Sequence, residues 1–158
     1  TAMREAQTKA VDARIVMGGK FGPTITATVD GERKEKWYSS RIPGVMEEIL
    51  ISLKMKQPVF LIGGFGGCAR LAADIIQGKE RKEFTWEYQK NAPHAPEMRQ
   101  LYEERNIPWE TYEEMTDFLK TSGISGLNNG LSREENEELF ETFYIDRIVE
   151  LILKGLQA

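Results

Sequence analysis

Apolar residues follow different rhythms along this chain. Between Asp12 and Met17 ("DARIVM") and between Pro58 and Ile62 ("PVFLI") they form short runs, each closed by a glycine pair, Gly18-Gly19 and Gly63-Gly64. Short apolar runs bounded by turn residues are the pattern of buried strands. Between the two runs, Ile49 and Leu53 stand four apart, and Val45, Ile51 and Met55 add apolar cover. That spacing predicts a helix entered through Pro43, whose missing N–H is not needed in a first helical turn. After the second run, "CARLAADIIQG" predicts a short helix with Gly78 as its C-cap. Residues 3–11 read as the end of a further helix. From 11 to 78 the order is therefore strand, loop, helix, strand, glycine turn, helix, which marks a parallel α/β sheet.

Residues 24–38, "TITATVDGERKEKWY", have a different rhythm. Ile25, Ala27 and Val29 alternate, Asp30-Gly31 offers a turn, and a charged run from Glu32 to Lys36 reads as a solvated face. The segment predicts a hairpin or ordered flap over residues 22–40. A connection this long between a strand and its helix is uncommon in α/β units and tends to be functional. Beyond residue 80 the pattern becomes helical. Ala92-Pro93-His94-Ala95-Pro96 interrupts it, and Glu110 to Lys120 reads as helix. Asn128-Asn129-Gly130 forms a loop, and Ser132 with Glu135 makes a capping-box signature. Ile145, Ile148, Val149, Ile152, Leu153 and Leu156 form an amphipathic stripe. The expected fold class is a Rossmann-like parallel sheet flanked by helices, with a mostly helical C-terminal half. Residues 1–80 form the α/β part and 81–158 the helical part of one domain. Two core strands are too few for a stable doubly wound sheet. The expectation is that this is a portion of a larger protein, with N-terminal strands missing here.

Composition narrows the function classes. The 158 residues are enough for one domain with its own core. A hydrophobic share of 41% and a charged share of 29% are ordinary for a globular protein. A net charge of −4 argues against non-specific nucleic-acid binding. The longest apolar run, Pro58 to Gly64, is too short to span a bilayer, and the opening residues lack the apolar stretch of a signal peptide. A cytoplasmic protein without membrane or nucleic-acid partners is the expectation. One cysteine, Cys68, and one histidine, His94, exclude an internal disulfide and argue against a His- or Cys-rich metal centre.

The candidate chemistry sits at the strand ends, because open parallel sheets bind ligands beyond their carboxyl ends. Glycines there let a backbone approach a phosphate or ribose closely. The helix starting near Gly66-Gly67 is expected to aim free N–H groups at an anion. Glu47 and Glu48 open a helix directly behind Pro43-Gly44. Adjacent helical residues point in different directions, so one acid is expected to face the cleft and the other solvent. Lys20 and Arg41 flank the same strand end and are candidates for phosphates. Trp86, Tyr88, Trp109, Tyr112, Phe140, Phe143 and Tyr144 read as core and interface residues rather than a base-stacking platform, and Cys68 as a small residue packed under the turn.

"DARIVMGG" followed by "PGVMEEILISLKMKQPVFLIGG" resembles the SLOG superfamily. That group includes DNA-processing proteins, the cytokinin-activating phosphoribohydrolases called LOG, and the N-terminal domains of TRPM channels. The acid pair and the strand after it match the LOG order over roughly residues 10–78. The insert between Gly19 and Arg41 and the "GGFGG" turn look closer to the branch associated with Sir2 and TIR domains in bacterial defence. The resemblance implies a sensor pocket for an NAD- or ADP-ribose-derived nucleotide, such as a cyclic ADP-ribose isomer. It implies control of a linked effector domain such as Sir2 or TIR, and homo-oligomerisation. No prosthetic group is implied. Ligand contacts would fall on Gly18, Gly19, Lys20, Arg41, Glu47, Gly63, Gly64, Phe65, Gly66 and Gly67. The Gly-Thr of the LOG string is absent after Gly44, where Val45-Met46 stand. The alternative is an N-glycosidase or deoxyribosyltransferase-like hydrolase using Glu47 or Glu48.

Overall fold

The computed structural model describes residues 2–27 and 31–158. Its elements are α1 (Ala2–Lys9), β1 (Arg14–Met17), β2 (Thr24–Ala27), β3 (Arg33–Lys36), α2 (Gly44–Lys54), β4 (Val59–Ile62), α3 (Gly67–Ile76), α4 (Trp86–Gln89), α5 (Ala95–Glu104), α6 (Tyr112–Ser122), α7 (Arg133–Glu141) and α8 (Ile145–Leu156). Short 3-10 turns occupy Gly63–Phe65, Lys82–Phe84 and Ile124–Leu127. β1 and β4 pair in parallel, from Arg14 opposite Val59 to Met17 opposite Ile62. A parallel pair needs a crossover, and α2 supplies it. The expected α/β class, with helices flanking a parallel sheet and a helical C-terminal half, is the observed one.

One face of this sheet carries the larger core. Val16 and Leu61 point into it and meet Met46, Ile49 and Leu53 of α2 and Leu71 and Ile75 of α3. Tyr112, Met115 and Leu119 of α6 and Phe140 of α7 belong to the same cluster. On the other face Phe60 and Ile62 pack with Leu139, Ile148 and Leu151. A buried amide pair ties this layer down: Asn129 Nδ2 donates to Val59 O and to Asn136 Oδ1, both at 2.8 Å. All four residues of β4 are buried, as its sequence predicts. β1 departs from the expectation, since Ile15 and Met17 are 53% and 60% exposed. Ile15 pairs with Phe60 and Met17 with Ile62, so they share the face that α7 and α8 cover over β4. That cover stops short of β1.

The insert between β1 and α2 is the expected hairpin. β2 and β3 pair antiparallel, Thr24 opposite Lys36 and Ala27 opposite Arg33. Thr28 to Asp30 lie outside the described residues, and with them Val29 and the first half of the expected Asp30-Gly31 turn. Every residue of β3 is exposed, as expected for a solvated charged face. The hairpin base is anchored. Tyr38 Oη donates to Gln89, Trp37 packs on Tyr88 with ring centroids 5.9 Å apart, and His94 Nε2 lies 3.2 Å from Ser40 O. Among the helices, Ser132 and Glu135 form the expected capping box on α7. Thr111 and Glu114 form another on α6.

Candidate functional site

The carboxyl ends of β1 and β4 lie side by side, and three chain turns converge there. After β1, Gly18 and Gly19 take φ of 66° and 95°, a left-handed region that favours glycine. Gly19 wedges between the first turns of two helices: a Cβ on it would stand 2.9 Å from Val45 and 3.0 Å from Cys68. A Cβ on Gly67 would collide with the Gly18 backbone. The Gly19 carbonyl accepts from Cys68 N–H at 2.8 Å, and the Gly18 carbonyl accepts from Ala69 N–H at 2.9 Å. These first-turn amides of α3 were the ones expected to lie open to an anion. They hold the β1 turn instead, because the two strand ends are adjacent and the turn's carbonyls are the nearest acceptors. Gly18 and Gly66 differ from their neighbours. Both have positive φ, and a Cβ on either would meet nothing within 4 Å.

Gly63 and Gly64 serve packing. A Cβ on Gly63 would run into the carbonyl of Phe140, and one on Gly64 into that of Thr142. Their bareness lets the end of α7 dock directly on the end of β4. Phe65 beside them is 46% exposed. Within the glycine turn, then, Gly63, Gly64 and Gly67 are fixed by close approach, and Phe65 and Gly66 border open space.

The acid pair is placed differently from the cleft-and-solvent expectation. Glu47 accepts from Arg4 Nη1 at 2.6 Å and is largely buried. Glu48 accepts from Arg14 Nη1 at 2.8 Å, with Arg4 Nε 3.6 Å away. Both carboxylates therefore face arginines of α1 and β1. Arg14 also donates to Ser52 Oγ at 2.8 Å and to Thr8 Oγ1 at 2.9 Å, which locks α1 along α2. Arg4 lies across the helix entry: a Cβ on Gly44 would stand 2.6 Å from its Nη2. Lys20 is drawn to the hairpin base, where its ammonium donates to Thr24 Oγ1 at 2.9 Å and to Lys36 O. Arg41 turns to the helical half. It donates to Glu110 O at 3.1 Å, and its guanidinium lies 5.7 Å from the Trp109 ring centroid. The structure thus brings the Gly18-Gly19, Gly44-Val45 and Gly66-Gly67-Cys68 turns together, ties Lys20 to the hairpin base, and directs Arg41 to the helical half.

Arg4 is the residue that sequence reasoning missed. It belongs to a short polar helix with no motif, and its partner lies 43 positions on. Gln89 was missed for a similar reason: its amide donates to Phe21 O at 2.8 Å and to Glu83 O at 2.7 Å, fixing the segment after the β1 turn. Cys68 is buried as expected. Burial pushes its thiol up to about 12, against an ordinary value of 9.0, so it remains a neutral packing group at physiological pH. Among the described residues no group of three or more His, Cys, Asp or Glu is placed to hold a metal, and no helix is long and apolar enough to cross a membrane. A groove of about 840 Å³ lies elsewhere, between residues 80–85 and α6. Its charged lining mixes Arg81, Glu83, Asp117 and Lys120, and no strand ends there. The strand-end turns are the better candidate, since they join glycines, two helix starts and the Arg4–Glu47 pair at the edge where parallel sheets bind ligands.

The family model described as SLOG cluster2 matches residues 1–139. No curated protein and no solved structure matches the chain.

Proposed function

From the premise that this chain belongs to the SLOG cluster2 family, we propose that its strand-end crevice binds a nucleotide signal derived from NAD or ADP-ribose, and that occupancy regulates a linked effector domain such as Sir2 or TIR. Family membership supports the coarser part of this reading, a nucleotide-related role. The observation that carries the finer part is the convergence of three turns. Gly18-Gly19, Gly44-Val45 and Gly66-Gly67-Cys68 meet at one place, with open space beside Gly18 and Gly66 and the Arg4–Glu47 pair at the α2 entry. A pyrophosphate would lie along the bare backbone at Gly18 and Gly66. Arg4 would exchange part of its contact with Glu47 for a phosphate oxygen, and Glu47 would accept from a ribose hydroxyl. Lys20 would add charge from the hairpin side.

Binding is favoured over hydrolysis. A glycosidase needs a carboxylate free to attack or to take a proton, and a second group to assist the leaving base. Here Glu47 and Glu48 are both engaged by arginines. His94 lies against Ser40 O at the hairpin base. Calorimetric titration with ADP-ribose, NAD and cyclic ADP-ribose isomers tests the reading, with base release followed in the same samples. Saturable binding without base release is the expected result. Base release that disappears in Glu47→Gln would replace the sensor with an enzyme.

A further inference from the structure

The groove between residues 80–85 and α6 lies away from the strand ends. Its volume of about 840 Å³ falls within the roughly 300–1,000 Å³ of small-molecule sites. The floor is apolar. Ile75, Phe84 and Tyr112 are buried there, and Phe84 meets Tyr112 edge to face with ring centroids 5.0 Å apart. Both walls are held in place. On one, Arg81 pairs with Asp74 and Glu83, and Gln89 Nε2 donates to Glu83 O at 2.7 Å. On the other, the Thr111–Glu114 capping box fixes the start of α6. A second cavity of about 210 Å³ adjoins the groove, since Tyr112 and Glu113 line both. Trp86, Trp109 and Arg99 wall this extension. The two indoles stand nearly at right angles, and the Arg99 guanidinium lies over the Trp86 ring, 4.9 Å from its centroid.

The charges of the lining fall into two sets. Arg81 and Glu83 are engaged with each other, and Arg81 also with Asp74. Glu80 and Lys82 on one wall, and Glu113, Asp117 and Lys120 on the other, are exposed and form no hydrogen bond or ion pair with any described residue. Glu113, Asp117 and Lys120 follow one another at intervals of four and three, so they share one side of α6. Glu113 and Lys120 stand about 10 Å apart along it. Nucleobases stack on guanidinium planes as well as on aromatic rings, so the outer face of Arg99, backed by Trp86, suits a base. Along α6 a ligand therefore meets a stacking surface, then carboxylates that accept hydrogen bonds, then ammonium groups that attract anions. A base, a ribose and phosphates carry the complements in that order. A polyamine would satisfy the carboxylates but leave Lys82 and Lys120 facing like charge. Inorganic phosphate would leave the Trp86 end unused.

We propose that this groove is a nucleotide site separate from the strand-end turns, shaped for a nucleoside diphosphate. The base stacks on Arg99 in the extension between Trp86 and Trp109. Glu113 and Asp117 accept from the ribose hydroxyls, and Lys82 and Lys120 hold the phosphates from opposite walls.

Titration of isotope-labelled protein with ADP, followed through its backbone amide NMR signals, tests this. Saturable shifts are expected at residues 82–86 and 112–120. Lys82 and Lys120 are exposed, so a Lys82→Ala/Lys120→Ala variant keeps the fold. It should bind ADP at least about tenfold more weakly and adenosine almost unchanged, because only the phosphates lose partners. Arg99→Ala should weaken both ligands. Unchanged ADP affinity in the lysine variant would overturn the proposal. Shifts confined to residues 18–20 and 66–68 would also overturn it, while supporting nucleotide binding at the strand ends. Absence of shifts at either place would overturn it as well, and so would spermidine shifting residues 113–120 where ADP does not.

Discussion

Gly18 and Gly67 are neighbours in space and are held for different reasons. Gly67 has a φ of 68° and lies against the Gly18 backbone. Gly67→Ala is expected to lower stability by about 2–4 kcal/mol, because backbone rather than a flexible side chain must give way. Gly18→Ala carries only the strain of a left-handed alanine, about 1–2 kcal/mol, yet puts a methyl group into the proposed ligand space. Its expected signature is a folded protein with at least tenfold weaker affinity for ADP-ribose, read by urea denaturation and calorimetry on the same sample. Unchanged affinity would remove Gly18 from the site. Arg4→Ala is expected to lower stability by about 1–3 kcal/mol by stripping a largely buried carboxylate of an ion-pair partner. The types of these residues were legible in the sequence and their duties were not. What the missing Cβ of Gly63 or Gly64 would meet depends on Phe140 and Thr142, 77 and 78 positions away, and the arginine partners of Glu47 and Glu48 lie 43 and 34 positions back.

Among the elements, those with local rules could be read directly. β4 announced itself by its apolar run and glycine stop, the hairpin by alternation, and α7 by its capping box. The strand assignment of β1 held, but its burial did not, because burial depends on how far α8 reaches across the sheet. The β2–β3 hairpin supports a prediction of its own. Its charged strand is exposed, and its base is fixed by Tyr38–Gln89 and Trp37–Tyr88. Amides of residues 33–36 are expected to exchange faster than those of 37–40 in the free protein. With saturating nucleotide, the 33–36 amides alone should slow as β3 settles over the ligand, exposing two states for an effector to read. Equal protection with and without ligand would make the hairpin a fixed ornament of the fold with no part in signalling.

For the whole molecule, one core joins the two halves of the sequence. Tyr112, Met115, Leu119 and Phe140 pack in the cluster built by β4, α2 and α3, so a fragment ending at residue 80 is expected to show no cooperative thermal unfolding. The same burial sets an alkaline limit. Burial pushes Cys68 from 9.0 and Tyr112 from 10.0 up to about 12 each. The folded state keeps protons that the unfolded chain releases. Their contribution to stability is complete below about pH 9 and is lost as pH rises towards 12, at about 1.4 kcal/mol per pH unit for each group. Urea midpoints between pH 8 and 11 should fall accordingly, and less steeply in Tyr112→Phe. The contacts of Gly63 with Phe140 and of Gly64 with Thr142 have a mechanical consequence. Backbone rests on backbone there, with no side chain between to absorb a displacement. A nucleotide that shifts the end of β4 must therefore carry α7 with it, and through Glu138 and Arg147 the start of α8. By thermodynamic reciprocity, anything that grips α8 tunes the crevice in return.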